Sequence, residues 1–213
     1  MKILVKFCGI TRPEDVLKAA ELGADYLGFV LVPGSQRCLT RDELAPLLRV
    51  VPKTVKTVLV VANLKFAEIQ GFVAEFQPAV IQLHGNESPD LAAKIRDVEV
   101  WKAVHLKNGQ DMLQAAAFPA SRLVVDAGQG VSGKLCDWSL AAKLARTRNL
   151  FIAGGITPEN VVEALQQTKA AGIDTSSGIE NAPGHKDPEK MQKLLQNIRN
   201  YETHIHSKQG DQS

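Results

Sequence analysis

The sequence predicts a (β/α)8 barrel, and three observations carry that prediction. Short β-rich runs alternate with helical patterns from one end of the 213 residues to the other. The runs recur about every 24 residues, which is the room a strand, a loop, a helix and a return loop require. They are near-continuous apolar stretches rather than alternating ones, as strands become when both faces of a parallel sheet are covered. A doubly wound open sheet is the alternative arrangement. Its usual G-x-G-x-x-G turn is absent from GITRPED, the segment that follows the first run.

Taken in order, the strand candidates are ILVKFC (3–8), DYLGFVLV (25–32), VKTVLVVA (55–62), AVIQLH (79–84), VEVWKAVH (98–105), RLVVD (122–126), NLFIAG (149–154) and GIDTSS (172–177). The segments between them announce where helices start. Thr11 with Glu14, and Thr40 with Glu43, have capping-box spacing, in which each side chain satisfies an orphan backbone N–H. Ser88, Thr157 and Asp187 each precede a proline, whose missing N–H is harmless in a first helical turn. Gly23 and Gly172 sit where a left-handed C-cap would turn the chain into the next strand. Residues 1–200 are expected to form one barrel domain. From Tyr201 the chain is polar and aperiodic (YETHIHSKQGDQS), so residues 201–213 are expected to be a disordered tail.

Composition narrows the function classes. A hydrophobic share of 45% and a net charge of +2 allow a sizeable core and give no basic excess for binding nucleic acid. No stretch approaches membrane-spanning length, and the first apolar run is too short and too interrupted by lysine to be a signal-peptide core. Three cysteines with no C-x-x-C pair point to reduced thiols in a cytoplasmic protein. The five histidines are scattered without ligand spacing, so no metal is expected.

In a barrel, the reactive groups lie where strands end and βα loops begin. That rule gathers residues far apart in the chain into one mouth. Cys8 ends strand one, Arg37 lies in the loop after strand two, His84 ends strand four and Asp126 ends strand six. Gly154 and Gly155 follow strand seven, and Ser177 and Gly178 follow strand eight. Two adjacent glycine-containing loops offer backbone N–H groups to an anion, and a short helix starting near Gly178 would add its positive end. This is the usual barrel site for phosphate. Asp126 suits a general acid with its proton affinity raised by partial burial, with capping of its loop the lesser alternative. The planar fork of Arg37 suits a substrate carboxylate. Cys8 is either a small core residue or a reactive thiol at the rim, and His84 a wall residue or a ligand contact.

At these residues the chain resembles the phosphoribosylanthranilate isomerase family. The resemblance runs from about Lys6 to Asp187 through KFCGIT, DYLGFVLVPGSQR, VIQLHGNE, VVDAGQGVSGKLCDW, FIAGGITPENV and IDTSSGIENAPGHKD, in the family's order. It implies an Amadori rearrangement of N-(5-phosphoribosyl)anthranilate to 1-(2-carboxyphenylamino)-1-deoxyribulose 5-phosphate in tryptophan biosynthesis. It further implies Cys8 as general base, Asp126 as general acid, Arg37 on the anthranilate carboxylate, and His84 and Asp174 near the ligand. The phosphate falls to the loops at Gly154, Gly155, Ser177 and Gly178. No cofactor is implied, because the chemistry is internal proton transfer. The partner is a phosphorylated small molecule, and the enzyme is a monomer or a homodimer. Departures are modest: Val131 and Ser132 stand where the family tends to glycine and threonine, and Cys38 lies beside Arg37. An indole-glycerol-phosphate synthase would be expected to place lysine and glutamate catalysts in the mouth. A dual-substrate isomerase would be expected to use aspartate as the base on strand one. A non-catalytic binding barrel is the third alternative.

Overall fold

The computed structural model describes residues 2–126 and 138–210. Eight strands close into a barrel in chain order: β1 (Leu4–Cys8), β2 (Tyr26–Val30), β3 (Lys56–Val61), β4 (Val80–Leu83), β5 (Glu99–Val104), β6 (Arg122–Asp126), β7 (Leu150–Ala153) and β8 (Gly172–Thr175). All eight neighbouring pairs are parallel, including β1 with β8, where Lys6 pairs with Asp174. Helices α1 (Pro13–Glu21), α2 (Arg41–Arg49), α3 (Phe66–Phe76), α4 (Pro89–Lys94), α5 (Gly109–Ala117), α6 (Ser139–Leu144), α7 (Val161–Thr168) and α8 (Pro188–Gly210) follow the strands in turn. After β8 a 3-10 turn (Ser177–Ile179) leads into a small antiparallel hairpin, β9 (Glu180–Ala182) and β10 (His185–Lys186).

Side chains of a strand alternate between two faces, so each barrel strand feeds two cores. Val5, Phe7, Leu27, Phe29, Leu59, Ile81, Leu123, Ile152 and Ile173 point outward and are buried under the helices. Tyr26, Val58, Val60, Val80, Trp101, Val124 and Phe151 point inward and fill the barrel. Toward the N-terminal ends of the strands the filling is aromatic, with the Trp101 ring centroid 4.8 Å from both Tyr26 and Phe151. This plug closes one end, so the polar groups at the strand C-termini have the other end to themselves.

Most local signals hold, and four do not. Thr40 and Glu43 form the capping box of α2, Ser88 caps α4, and Asp187 accepts from Glu189 and Lys190 at the start of α8. Gly23, at φ +86°, ends α1. Thr11, by contrast, does not cap α1; its hydroxyl donates to the Gly184 carbonyl at 2.5 Å and ties the first loop to the β9–β10 hairpin. Thr157 makes a turn before α7, whose N-cap is Asn160. Gly172 lies inside β8, and the left-handed residue after α7 is Lys169. A Cβ at Gly172 would come 2.6 Å from the Phe151 ring, so this glycine makes room for the plug. The fourth correction concerns the expected tail: α8 continues through Tyr201 to Gly210. Tyr201 packs on the core, Glu202 accepts from the Ile3 amide, and Arg199 donates to the Ile3 carbonyl at 3.0 Å. The last helix therefore holds the entry of the first strand.

Candidate active site

A cavity of about 200 Å³ opens at the C-terminal ends of the strands and is lined by Cys8, His84, Asp126, Gly154, Gly155, Asp174, Ser177 and Gly178, among others. Every residue singled out from the sequence is on that wall except Arg37. Loop six, from 127 to 137, lies outside the described residues, as does Cys136.

Cys8 closes β1 opposite Gly28 of β2. A Cβ at Gly28 would lie 2.7 Å from the Cys8 Sγ, so only glycine leaves space for the thiol. Burial pushes the thiol pKa up, and the nearby Lys6 ammonium pulls it down without cancelling that effect. Asp126 closes β6 beside Ala153 of β7. His84 follows β4 directly, with its Nδ1 3.1 Å from Gln82 Nε2. Burial lowers the pKa of its imidazole, which favours the neutral ring.

Arg37 is held just outside this cavity. Gly9, at φ +70°, lies under its stem; a Cβ there would meet Arg37 Cδ at 2.3 Å. Nε and Nη2 of Arg37 both donate to the Glu180 carboxylate, the former at 2.8 Å. Glu180 also accepts from Lys186 Nζ at 2.7 Å, and Lys186 reaches the Ser176 carbonyl and hydroxyl, each at 3.3 Å. A buried and a half-buried cation thus share one carboxylate. At Glu180 their pull outweighs burial and the pKa falls. At Lys186 burial outweighs the pairing and the pKa also falls.

The sequence reading missed Glu180 and Lys186, and it missed Lys6. The Lys6 side chain is wholly buried, and its Nζ donates to Asp174 Oδ2 at 2.8 Å. Burial opposes the ammonium, but Asp174 and Cys8 outweigh it and raise the Lys6 pKa. A signal was available: Lys6 and Cys8 are two apart on one strand and so share its inward face.

After β7, two strands from β1, Gly154 and Gly155 both have positive φ, at +82° and +67°. The Gly155 carbonyl accepts from Asn160 Nδ2 at 2.8 Å, which fixes the loop after β7. A Cβ at Gly178 would sit 1.9 Å from the Ile156 carbonyl oxygen, so the loops after β7 and β8 touch through a glycine. A thiol, a carboxylate and a glycine-lined pocket therefore face one another across a small space.

The sequence model of the N-(5'-phosphoribosyl)anthranilate (PRA) isomerase family matches residues 5–197. The chain belongs to the PRA isomerase family. The N-(5'-phosphoribosyl)anthranilate isomerase of Nostoc punctiforme is 36% identical over 204 residues, covering 91% of this chain and 97% of its own. A PRA isomerase crystal structure holding reduced 1-(o-carboxyphenylamino)-1-deoxyribulose 5-phosphate superimposes with a TM-score of 0.84 at 34% identity, covering 93% of this chain and 99% of that one. Monomers generated from the dimeric enzyme of Thermotoga maritima give a TM-score of 0.81 at 35% identity, with coverages of 93% and 99%. Both oligomeric forms thus occur among solved structures of the family. Among the described residues of this member, no helix is long and apolar enough to cross a membrane.

Proposed function

We propose that this chain converts N-(5-phosphoribosyl)anthranilate to 1-(2-carboxyphenylamino)-1-deoxyribulose 5-phosphate in the cytoplasm, a step of tryptophan biosynthesis. The observation that carries this reading is the placement of Cys8 and Asp126 on one cavity wall with the two glycine loops. Those loops, at Gly154, Gly155, Ser177 and Gly178, hold the sugar phosphate by backbone N–H groups. Asp126, as the acid, gives its proton to the ribose ring oxygen. The C1–O bond breaks, and the anthranilate nitrogen lone pair forms the Schiff base. Cys8, as the thiolate, then takes the C2 proton, and that electron pair becomes the C1–C2 double bond of the enolamine. Transfer of the C2 hydroxyl proton and protonation at C1 give the ketone. Arg37 keeps one edge of its fork on Glu180 and turns the Nη1 end to the anthranilate carboxylate. His84 and Asp174 contact the sugar hydroxyls.

A synthase-like reading gains one point from the structure, because Lys6, Lys186 and Glu180 all lie near the mouth. Their geometry argues against it. Lys6 is bonded to Asp174 and Lys186 to Glu180, both at hydrogen-bond distance and both wholly buried, so neither amine is free to act as an acid. The test is loss of phosphoribosylanthranilate fluorescence when the purified protein is added to substrate generated in situ. Isomerase activity without formation of indole-3-glycerol phosphate is the expected result. A flat trace would overturn the proposal.

The phosphate assignment has its own test. In Gly178→Ala, the new methyl must displace the backbone of the loop after β7. The KM is expected to rise about tenfold, or ~1.4 kcal/mol of binding, and the inhibition constant of inorganic phosphate is expected to rise with it. An unchanged phosphate constant in the folded variant would place the phosphate elsewhere.

A further inference from the structure

Lys6 has no evident reason to be where it is on grounds of stability. Taking an ammonium wholly out of water costs several kcal/mol, and replacing a buried ion pair by apolar residues is often neutral or stabilising. What the position offers is a neighbour. Lys6 and Cys8 project into the barrel one above the other along β1. The space a Gly28 Cβ would occupy lies 2.7 Å from Cys8 Sγ and 3.0 Å from Lys6 Cε, so the thiol and the end of the lysine stem converge over the same glycine. Asp174 takes the ammonium with Oδ2 only. Its Oδ1 is buried and has no hydrogen-bond partner among the described residues, and Asp174 lines the cavity. An ammonium has three donors, and this one gives Asp174 a single bond.

Building on the reading of Cys8 as the base, we infer that Lys6 is a positioning residue that favours the Cys8 thiolate against its burial under the substrate. Asp174 anchors the ammonium from β8. The other charges facing the thiol are Asp174 itself, Lys186 from the β9–β10 hairpin and Arg37 from the loop after β2, while His84 and Asp126 share the cavity. Lys6 and Lys186 favour the thiolate; burial and Asp174 oppose it. A base works only when deprotonated, so turnover rises with pH through the thiol pKa. Removing Lys6 moves that limb to higher pH.

The test follows alkylation of Cys8 by iodoacetamide against pH, read by mass spectrometry with Cys38 and Cys136 replaced by serine. In Lys6→Met the thiolate is expected to titrate at least about one pH unit higher, which is tenfold slower alkylation at neutral pH. The double variant Lys6→Met/Asp174→Asn removes the attraction and the repulsion together. It is expected to titrate between Lys6→Met and the parent. It strands no buried charge, so it reports even where the single variant does not fold. The pH limb of kcat in Lys6→Met should move with the thiol. Titration at the parent pH in the folded variants overturns the role of Lys6. Near-parent turnover in Cys8→Ala overturns the base assignment instead, so the two failures are separable.

Discussion

Cys8→Ala and Asp126→Asn are each expected to lose turnover by ~100- to 10,000-fold, the range for removal of a positioned acid or base. Neither change should unfold the barrel. Cys8 packs on Gly28, where a smaller side chain brings no clash, and asparagine has the shape of aspartate. The two losses should differ in kind. Without the Asp126 proton the furanose ring opens slowly, so a deuterium at C2 of the sugar should give almost no isotope effect in Asp126→Asn. Cys8→Ser keeps a weak base at the same position, and proton abstraction becomes slow. There the same deuterium should give a full primary effect. Near-parent rates in Cys8→Ala or Asp126→Asn, or isotope effects in the reverse order, would sink the assignment of roles. A thiol acting as a base forms no bond to carbon, so mass spectrometry of the enzyme during turnover should show no adduct on Cys8.

The parts of this site legible in the sequence are those written locally. Strand ends are marked by where apolar runs stop, and a barrel places all such ends on one face, so Cys8, His84 and Asp126 could be gathered without seeing the fold. The glycine loops were legible for the same reason. The ion pairs were not. Arg37 and Glu180 are 143 residues apart, and Lys6 and Asp174 are 168 apart. No periodicity links either pair; only barrel closure, β1 against β8, brings Lys6 to Asp174. Lys6 was visible as an interruption of an apolar run, whereas inside a barrel a lysine in ILVKFC points the same way as the cysteine two residues on. The reading of α8 failed for a related reason. Thr203, His204 and Ser207 are solvated, and the two contacts that order this stretch, from Arg199 and Glu202, are to the backbone of Ile3, just ahead of a distant strand. Gly172 shows the same limit, since the Phe151 ring that demands a glycine there is supplied by another strand.

Glu180 is expected to be the residue whose loss most weakens the mouth. It accepts from Arg37, Lys186 and the Gly184 amide, and its side chain is 5% exposed against 0% for Lys186 and 21% for Arg37. Removing one member of a buried ionic cluster leaves the others uncompensated, which typically costs ~3–5 kcal/mol. Glu180→Ala should therefore unfold at markedly lower urea and should raise KM, because Arg37 is no longer held beside Gly9. Glu180→Gln keeps the shape and one acceptor, and should lose less. The pH dependence separates charge from shape. Arg37 and Lys186 hold the Glu180 carboxyl below its ordinary value in the folded protein. The unfolded chain therefore takes up this proton first, and protons favour unfolding. The Glu180 contribution is fully present above the ordinary carboxylate pKa of about 4.3 and is lost as pH falls through the lower folded value. Parent and Glu180→Gln should thus differ most in urea midpoint at neutral pH and converge in acid, where both carry a neutral side chain. A gap independent of pH would mean that Glu180 holds the mouth by packing and not by its charge.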